Sequence, residues 1–247
     1  AGENIPVTLT YTGNGYDATD VPVNVGSYTV TASIANSNYT LTGNTTADFV
    51  ITPKAVTVSG ITANDKVYDG TTNAVLDYSN AQFDGILESD KLTVAAKGMF
   101  EKAEAGKQNV AISDLTLGGD SAANYVLAES GNQTETTATI TAKKITVSIT
   151  PNGGTYGGTI TPATATANDV VGEDAPEITL TYTGTANDGT KYNGTTPPTK
   201  AGTYTIKAST TDKNYTLDAN TATAKFTVAK RSATVTPDNK SKVYEEK

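Results

Sequence analysis

The chain of 247 residues has no cysteine, no histidine and no tryptophan, and it has only one methionine and four phenylalanines. Without cysteine there is no disulfide, no thiolate metal ligand and no thiol nucleophile. Without histidine the commonest general base and metal ligand are missing. No stretch is apolar for long enough to span a bilayer. Apolar residues make up 36% and charged residues 18%; disordered chains are also poor in apolar residues but rich in charge, and this chain is poor in both. A net charge of -8 argues against nucleic acid, whose binding rests on Lys and Arg neutralising phosphates, and against an anionic membrane surface. No signal peptide opens the chain, and Ala1-Gly2-Glu3 reads as a cut rather than a natural start.

Small polar residues take up the balance: 47 threonines and 22 glycines. Threonine is β-branched and suits a pleated surface with one wet face, so thin sheets with a modest apolar core are expected.

Internal repeats set the organisation. Val7-Thr-Leu-Thr-Tyr-Thr-Gly13 recurs as Ile178-Thr-Leu-Thr-Tyr-Thr-Gly184, and Tyr16-Asp-Ala-Thr19 as Tyr192-Asn-Gly-Thr195. Val25-Gly-Ser-Tyr28 recurs as Ala201-Gly-Thr-Tyr204, Asn38-Tyr-Thr-Leu41 as Asn214-Tyr-Thr-Leu217, and Phe49-Val-Ile51 as Phe226-Thr-Val228. A more distant copy lies between them, with Ala105-Gly106, Asn124-Tyr-Val-Leu127 and Ile140-Thr-Ala-Lys143. Lys54, Lys143 and Arg231 are spaced by 89 and 88 positions. The spacing predicts a first repeat over residues 1–54 that lacks its opening, a middle repeat over 55–143 and a third over 144–231. Residues 232–247 would begin another, since Lys242-Val-Tyr-Glu245 echoes Lys66-Val-Tyr-Asp69.

Within the repeats, apolar residues alternate with threonine or serine at period two. Tyr28, Val30, Ala32 and Ile34 share one face, and Ile178, Leu180 and Tyr182 share another. The best helical candidate, Gly85-Ile-Leu-Glu-Ser-Asp90, offers a turn or two. Six or seven short strands per repeat predict an all-β chain of tandem Ig-like β-sandwich modules in an elongated array. A β-grasp module, with one helix across a mixed sheet, is the alternative. The Gly-x-Tyr entering a long strand is the pattern of a tyrosine corner.

At Lys66-Val-Tyr-Asp-Gly-Thr-Thr72 and Ala123-Asn-Tyr-Val-Leu127 the middle repeat resembles the YDG domains of bacterial surface proteins. The outer repeats resemble the related MBG domains through Tyr-x-Gly, Ala-Gly-x-Tyr and Asn-Tyr-Thr-Leu, with Ala18 and Val25 departing from the pattern in the first and Tyr156-Gly-Gly-Thr159 in the third. The resemblance implies an extracellular or cell-surface, adhesin-like protein with modules in tandem. It carries over no catalytic, cofactor-binding or metal-binding residue.

Among the 13 tyrosines, only Tyr78 has no counterpart in another repeat; rings at recurrent stations read as packing or corner residues rather than a glycan platform. Tyr16-Asp-Ala-Thr-Asp20, Asn187-Asp-Gly-Thr190 and Glu173-Asp174 supply oxygens for Ca²⁺, but Asp, Asn and Gly are also what turns demand, and the turn reading is preferred. The expectation is therefore a non-catalytic spacer with no cofactor or metal, whose partners are neighbouring modules. The alternative is an adhesion module binding a glycan or a host protein, with residues 81–100, unmatched in the first repeat, as its place.

Overall fold

The computed structural model describes residues 4–244; Ala1-Gly2-Glu3, and Glu245 at the end of the last motif echo, lie outside them. The chain is all-β. Among the described residues the one helical element is the 3-10 turn Ala122–Asn124, so no α-helix crosses a sheet there in the β-grasp manner. Residues 85–90 hold a tight turn, closed by the Asp90 N–H donating to the Leu87 carbonyl at 3.0 Å. No helix of the described residues is long and apolar enough to cross a membrane.

The chain divides into two compact units. The first takes residues up to 65, with 72–102 and 107–139; the second takes 140 onward together with 66–71 and 103–106. Two short pieces of the middle repeat thus fold with the third repeat, which Tyr68, Glu104 and the Ala105 N–H all reach.

In the first unit, Tyr16–Ala18, Val7–Gly13, Gly26–Ile34 and Thr46–Ile51 form an antiparallel sheet in that order. In the second unit, Lys191–Gly194, Thr179–Ala186, Gly202–Ser209 and Thr223–Ala229 pair in the same order. The registers coincide as well. Tyr11 faces Val30 and Tyr28 faces Phe49 in one; Tyr182 faces Ile206 and Tyr204 faces Phe226 in the other. The middle repeat keeps the order with Asn73–Ala74, Thr93–Phe100, Gly106–Gly118 and Glu135–Thr141.

A second, three-stranded sheet accompanies this one. Lys54–Ser59 pairs antiparallel with Gln82–Asp84 and parallel with Tyr125–Leu127. Lys143–Thr150 pairs antiparallel with Thr164–Asn168 and parallel with Tyr215–Leu217. Parallel neighbours need a long crossover, and here the crossover is nearly the whole repeat.

The period-two pattern then does what it implies. Along Gly202–Ser209 every second residue is buried, with Tyr204, Ile206 and Ala208 inside and Thr203, Thr205 and Lys207 outside. Val58 from one sheet packs with Val94 and Ile112 from the other. Tyr182, Tyr204, Ile206, Phe226 and Val228 make the corresponding core in the second unit. Each such side chain, fully buried, contributes about 1.5–3 kcal/mol relative to exposure.

Candidate functional site

The signature motif Lys66-Val-Tyr-Asp-Gly is the natural place to look for function, and its geometry is that of a clamp. Ile140 and Thr141 pair in parallel with Lys66 and Val67, and the Tyr68 N–H donates to the Thr141 carbonyl at 2.8 Å. The chain then turns on Asp69. Its Oδ1 accepts from Lys66 Nζ at 2.7 Å and from the Thr71 N–H and hydroxyl at 2.9 Å each. Gly70 sits at φ 75°, a left-handed conformation that glycine adopts at no steric cost. Burial would raise the Asp69 carboxyl, but the bonds from Lys66 and Thr71 outweigh it and hold the group below the usual range.

The turn delivers the Tyr68 ring into the second unit, where it is 8% exposed. It meets the Tyr215 ring edge-on at 5.4 Å. Both hydroxyls donate to one oxygen, Asp174 Oδ2, at 2.9 Å from Tyr68 and 2.6 Å from Tyr215. The Val171 N–H donates to the Tyr215 hydroxyl at 2.9 Å, and the Asp174 N–H closes a turn on the Val171 carbonyl at 3.0 Å. The two phenols lower the Asp174 carboxyl. Burial, and then the bond to Asp174, push Tyr68 up to about 12 and Tyr215 in the same direction. At neutral pH Asp174 is ionised and both phenols are protonated, so the cluster works as a fixed pair of donors on one acceptor.

The first unit repeats half of this device. Tyr125 donates to Asp90 Oδ2 at 2.6 Å and accepts from the Leu87 N–H at 3.0 Å. Burial and the Asp90 bond again raise the phenol.

Four other recurrent tyrosines tie corners. Tyr16 and Tyr192 donate to the carbonyls of Asp20 and Thr196, four residues on, at 2.9 and 2.8 Å. Tyr28 and Tyr204 donate to those of Asn24 and Lys200, four residues back, at 2.9 and 2.7 Å. Tyr78, the ring without a counterpart, also has an internal task. The ladder between Thr93–Phe100 and Gly106–Gly118 slips between Ala95 and Lys97. The Tyr78 hydroxyl donates to the carbonyl of the bulged Ala96 and accepts from its N–H, each at 2.9 Å.

The contacts of two asparagines escape a sequence reading. Asn124 Oδ1 accepts from the Val25 N–H at 2.9 Å, while its Nδ2 donates to Asn24 Oδ1 at 3.0 Å. In the second unit Asn214 Oδ1 accepts from the Ala105 N–H at 2.8 Å, and beside it Lys213 pairs with Glu104 at 2.5 Å. Both are the asparagine of an Asn-Tyr motif, and both take the N–H just before the glycine of a Gly-x-Tyr or its counterpart. The recurrence of each motif was the signal; their meeting across 99 and 109 positions was not visible.

The oxygen-rich loops serve turns. Asp188 Oδ1 accepts from the Thr190 N–H at 3.0 Å and Oδ2 from Lys200 Nζ at 2.9 Å; Lys200 and then Thr190 draw its carboxyl well below the usual range. The Asp20 carbonyl receives Tyr16, and Asp174 receives its two phenols. Among the described residues no group of three or more acidic side chains is gathered as a metal site. Residues 81–100 form Gln82–Asp84, whose Phe83 lies opposite Val58, the Leu87 turn and Thr93–Phe100. Thr164–Asn168 holds the matching position in the second unit.

No curated protein and no solved structure matches the chain. Family models match two stretches: the MBG domain over residues 1–55 and the YDG domain over residues 52–138. The clamp built on Tyr68, Asp69 and Gly70 thus lies within the stretch that matches the YDG domain, and that stretch follows directly on the one that matches the MBG domain.

Proposed function

We propose that this chain is a non-catalytic spacer segment of a bacterial extracellular or cell-surface protein, in which MBG- and YDG-type modules follow one another in tandem. The observation that carries the reading is how the motif side chains are spent. Tyr68, Asp69, Tyr125, Asn124 and Asn214 give their hydrogen bonds to turns and to neighbouring repeats. Modules that contact in series make a long object, and short links such as Thr52-Pro53, where proline restricts itself and its predecessor, limit bending between them.

Small-angle scattering tests this. A compact particle of 247 residues would have a radius of gyration of about 18 Å. A spacer should exceed that clearly and show a long tail in its distance distribution. A value near the compact limit overturns the reading.

A further inference from the structure

We propose that the face of the third repeat formed by Tyr156, Lys200 and the Ala201 N–H is a docking surface for a further module of the same kind, one that presents an Asn-Tyr strand together with an aspartate turn. The inference rests on the array reading above and names the partner and the contacts.

The chain shows such a docking in two instances. At Val25 and at Ala105 the N–H before the glycine is taken by an Asn-Tyr asparagine. The residue before it, Asn24 or Glu104, meets a polar or charged partner in the turn that leads into the Asn-Tyr strand, Asn124 or Lys213. At Tyr68 the phenol is covered by a tyrosine and an aspartate of the following repeat.

The third repeat carries every acceptor half of this arrangement. Tyr156 occupies the station of Tyr68: its N–H donates to the Ala229 carbonyl at 2.9 Å, as that of Tyr68 does to Thr141 at 2.8 Å. Gly154 and Thr155 pair in parallel with Val228 and Ala229, as Lys66 and Val67 do with Ile140 and Thr141. Yet Tyr156 is 53% exposed where Tyr68 is 8% exposed. Ala201 stands at the station of Val25 and Ala105, and its N–H has no hydrogen-bond partner among the described residues. Tyr156, Lys200 and Ala201, with Asn187 and Asp188, line one surface cavity.

An occupant must therefore bring an amide oxygen for the Ala201 N–H and a carboxylate with an aromatic edge for Tyr156. Residues 144–231 themselves hold that set in Asn214, Asp174 and Tyr215, arranged on one side as they meet the middle repeat. Lys200, already held by Asp188, favours a neutral or acidic residue beside the incoming asparagine, where Glu104 takes Lys213.

The test extends the chain. A second copy of residues 144–231, carrying Lys213→Glu so that an acidic residue faces Lys200 and Tyr156→Phe so that only the original ring is read, is placed directly after Arg231, which stands where Lys143 stands before the third repeat. Tyr156 nitration is then followed by peptide mass mapping in the original and extended chains. Docking should slow nitration of the original Tyr156 by about tenfold or more, because reaction then waits on opening of the joint. Replacing the appended copy's asparagine (its Asn214→Ala) should restore the fast rate while leaving circular dichroism unchanged. In a second variant, with Lys200→Cys in the original and Lys213→Cys in the appended copy, a disulfide should close without oxidative forcing, the chain having no other cysteine. An unchanged Tyr156 rate with both cysteines free overturns the proposal. If scattering still shows an extended particle, the spacer reading stands without it.

Discussion

At the residue scale the tyrosines settle what kind of protein surface this is. The hydroxyls of Tyr16, Tyr28, Tyr68, Tyr125, Tyr192, Tyr204 and Tyr215 are tied to backbone oxygens or carboxylates within the fold, so these rings stiffen corners and joints. Tyr78 shows the cost of the arrangement most cleanly. Tyr78→Phe would keep the ring among its apolar neighbours in the Val58 core but strand both backbone groups of Ala96. A half-buried donor and acceptor left unpaired cost about 1–3 kcal/mol, so urea unfolding of the variant should show a lower midpoint by that amount at unchanged slope. Much of this was legible in advance. The recurrence of twelve rings marked them as structural, and the Gly-x-Tyr pattern pointed to a corner bond. Tyr78 was not legible, because its role depends on a slip in a ladder whose strands lie elsewhere in the chain.

At the scale of the elements, turns fix where strands begin, and a few glycines fix the turns. Gly60, which ends Lys54–Ser59, has φ 77°, and a Cβ there would lie 2.2 Å from the Asn80 carbonyl oxygen. Gly15 has nearly the same φ, 76°, with nothing within 4 Å. Gly15→Ala should thus cost only the left-handed backbone, about 1 kcal/mol. Gly60→Ala must also push the Asn80 backbone away and should cost about 3 kcal/mol or more. Thermal melts of the two variants separate the contributions, and equal melting temperatures would contradict the contact geometry. The antiparallel hairpins were legible from period-two alternation between turn residues. The parallel pairs were not. Nothing local in Lys54–Ser59 says that its neighbour is Tyr125–Leu127, since that pairing is chosen only when the rest of the repeat has folded between them.

At the scale of the whole molecule, several carboxylates that hold turns and joints are the groups through which pH acts. Asp69, Asp77, Asp174, Asp188 and Asp218 have carboxyls held below their ordinary value by hydrogen bonds from backbone N–H groups, lysines or tyrosines. A depressed carboxylate stabilises the fold above its unfolded pKa, and the contribution is lost as pH falls through the folded value. Tyr68 works in the opposite sense. Its folded pKa of about 12 lies above the unfolded one, so its contribution is complete below about pH 10 and disappears between about pH 10 and 12. Urea midpoints measured across pH should show a plateau from about pH 5 to 9 and fall on both sides. Asp174→Asn, which removes the charge beside Tyr68, should move the alkaline limb to lower pH. An unmoved limb would mean that the clamp is not what titrates there. The clamp was hidden, because its three residues are scattered between positions 68 and 215 and only burial reveals their purpose.

Gly153–Thr155, near the entrance of the third repeat, lies parallel and hydrogen-bonded to Thr223–Ala229 at its exit. When the two ends of such a module are drawn apart, these neighbouring strands are pulled in opposite directions along their length. The bonds between them are then loaded side by side in shear, whereas the bonds of a hairpin pulled open at its end yield one after another. Short as it is, this parallel patch would meet such a pull in shear.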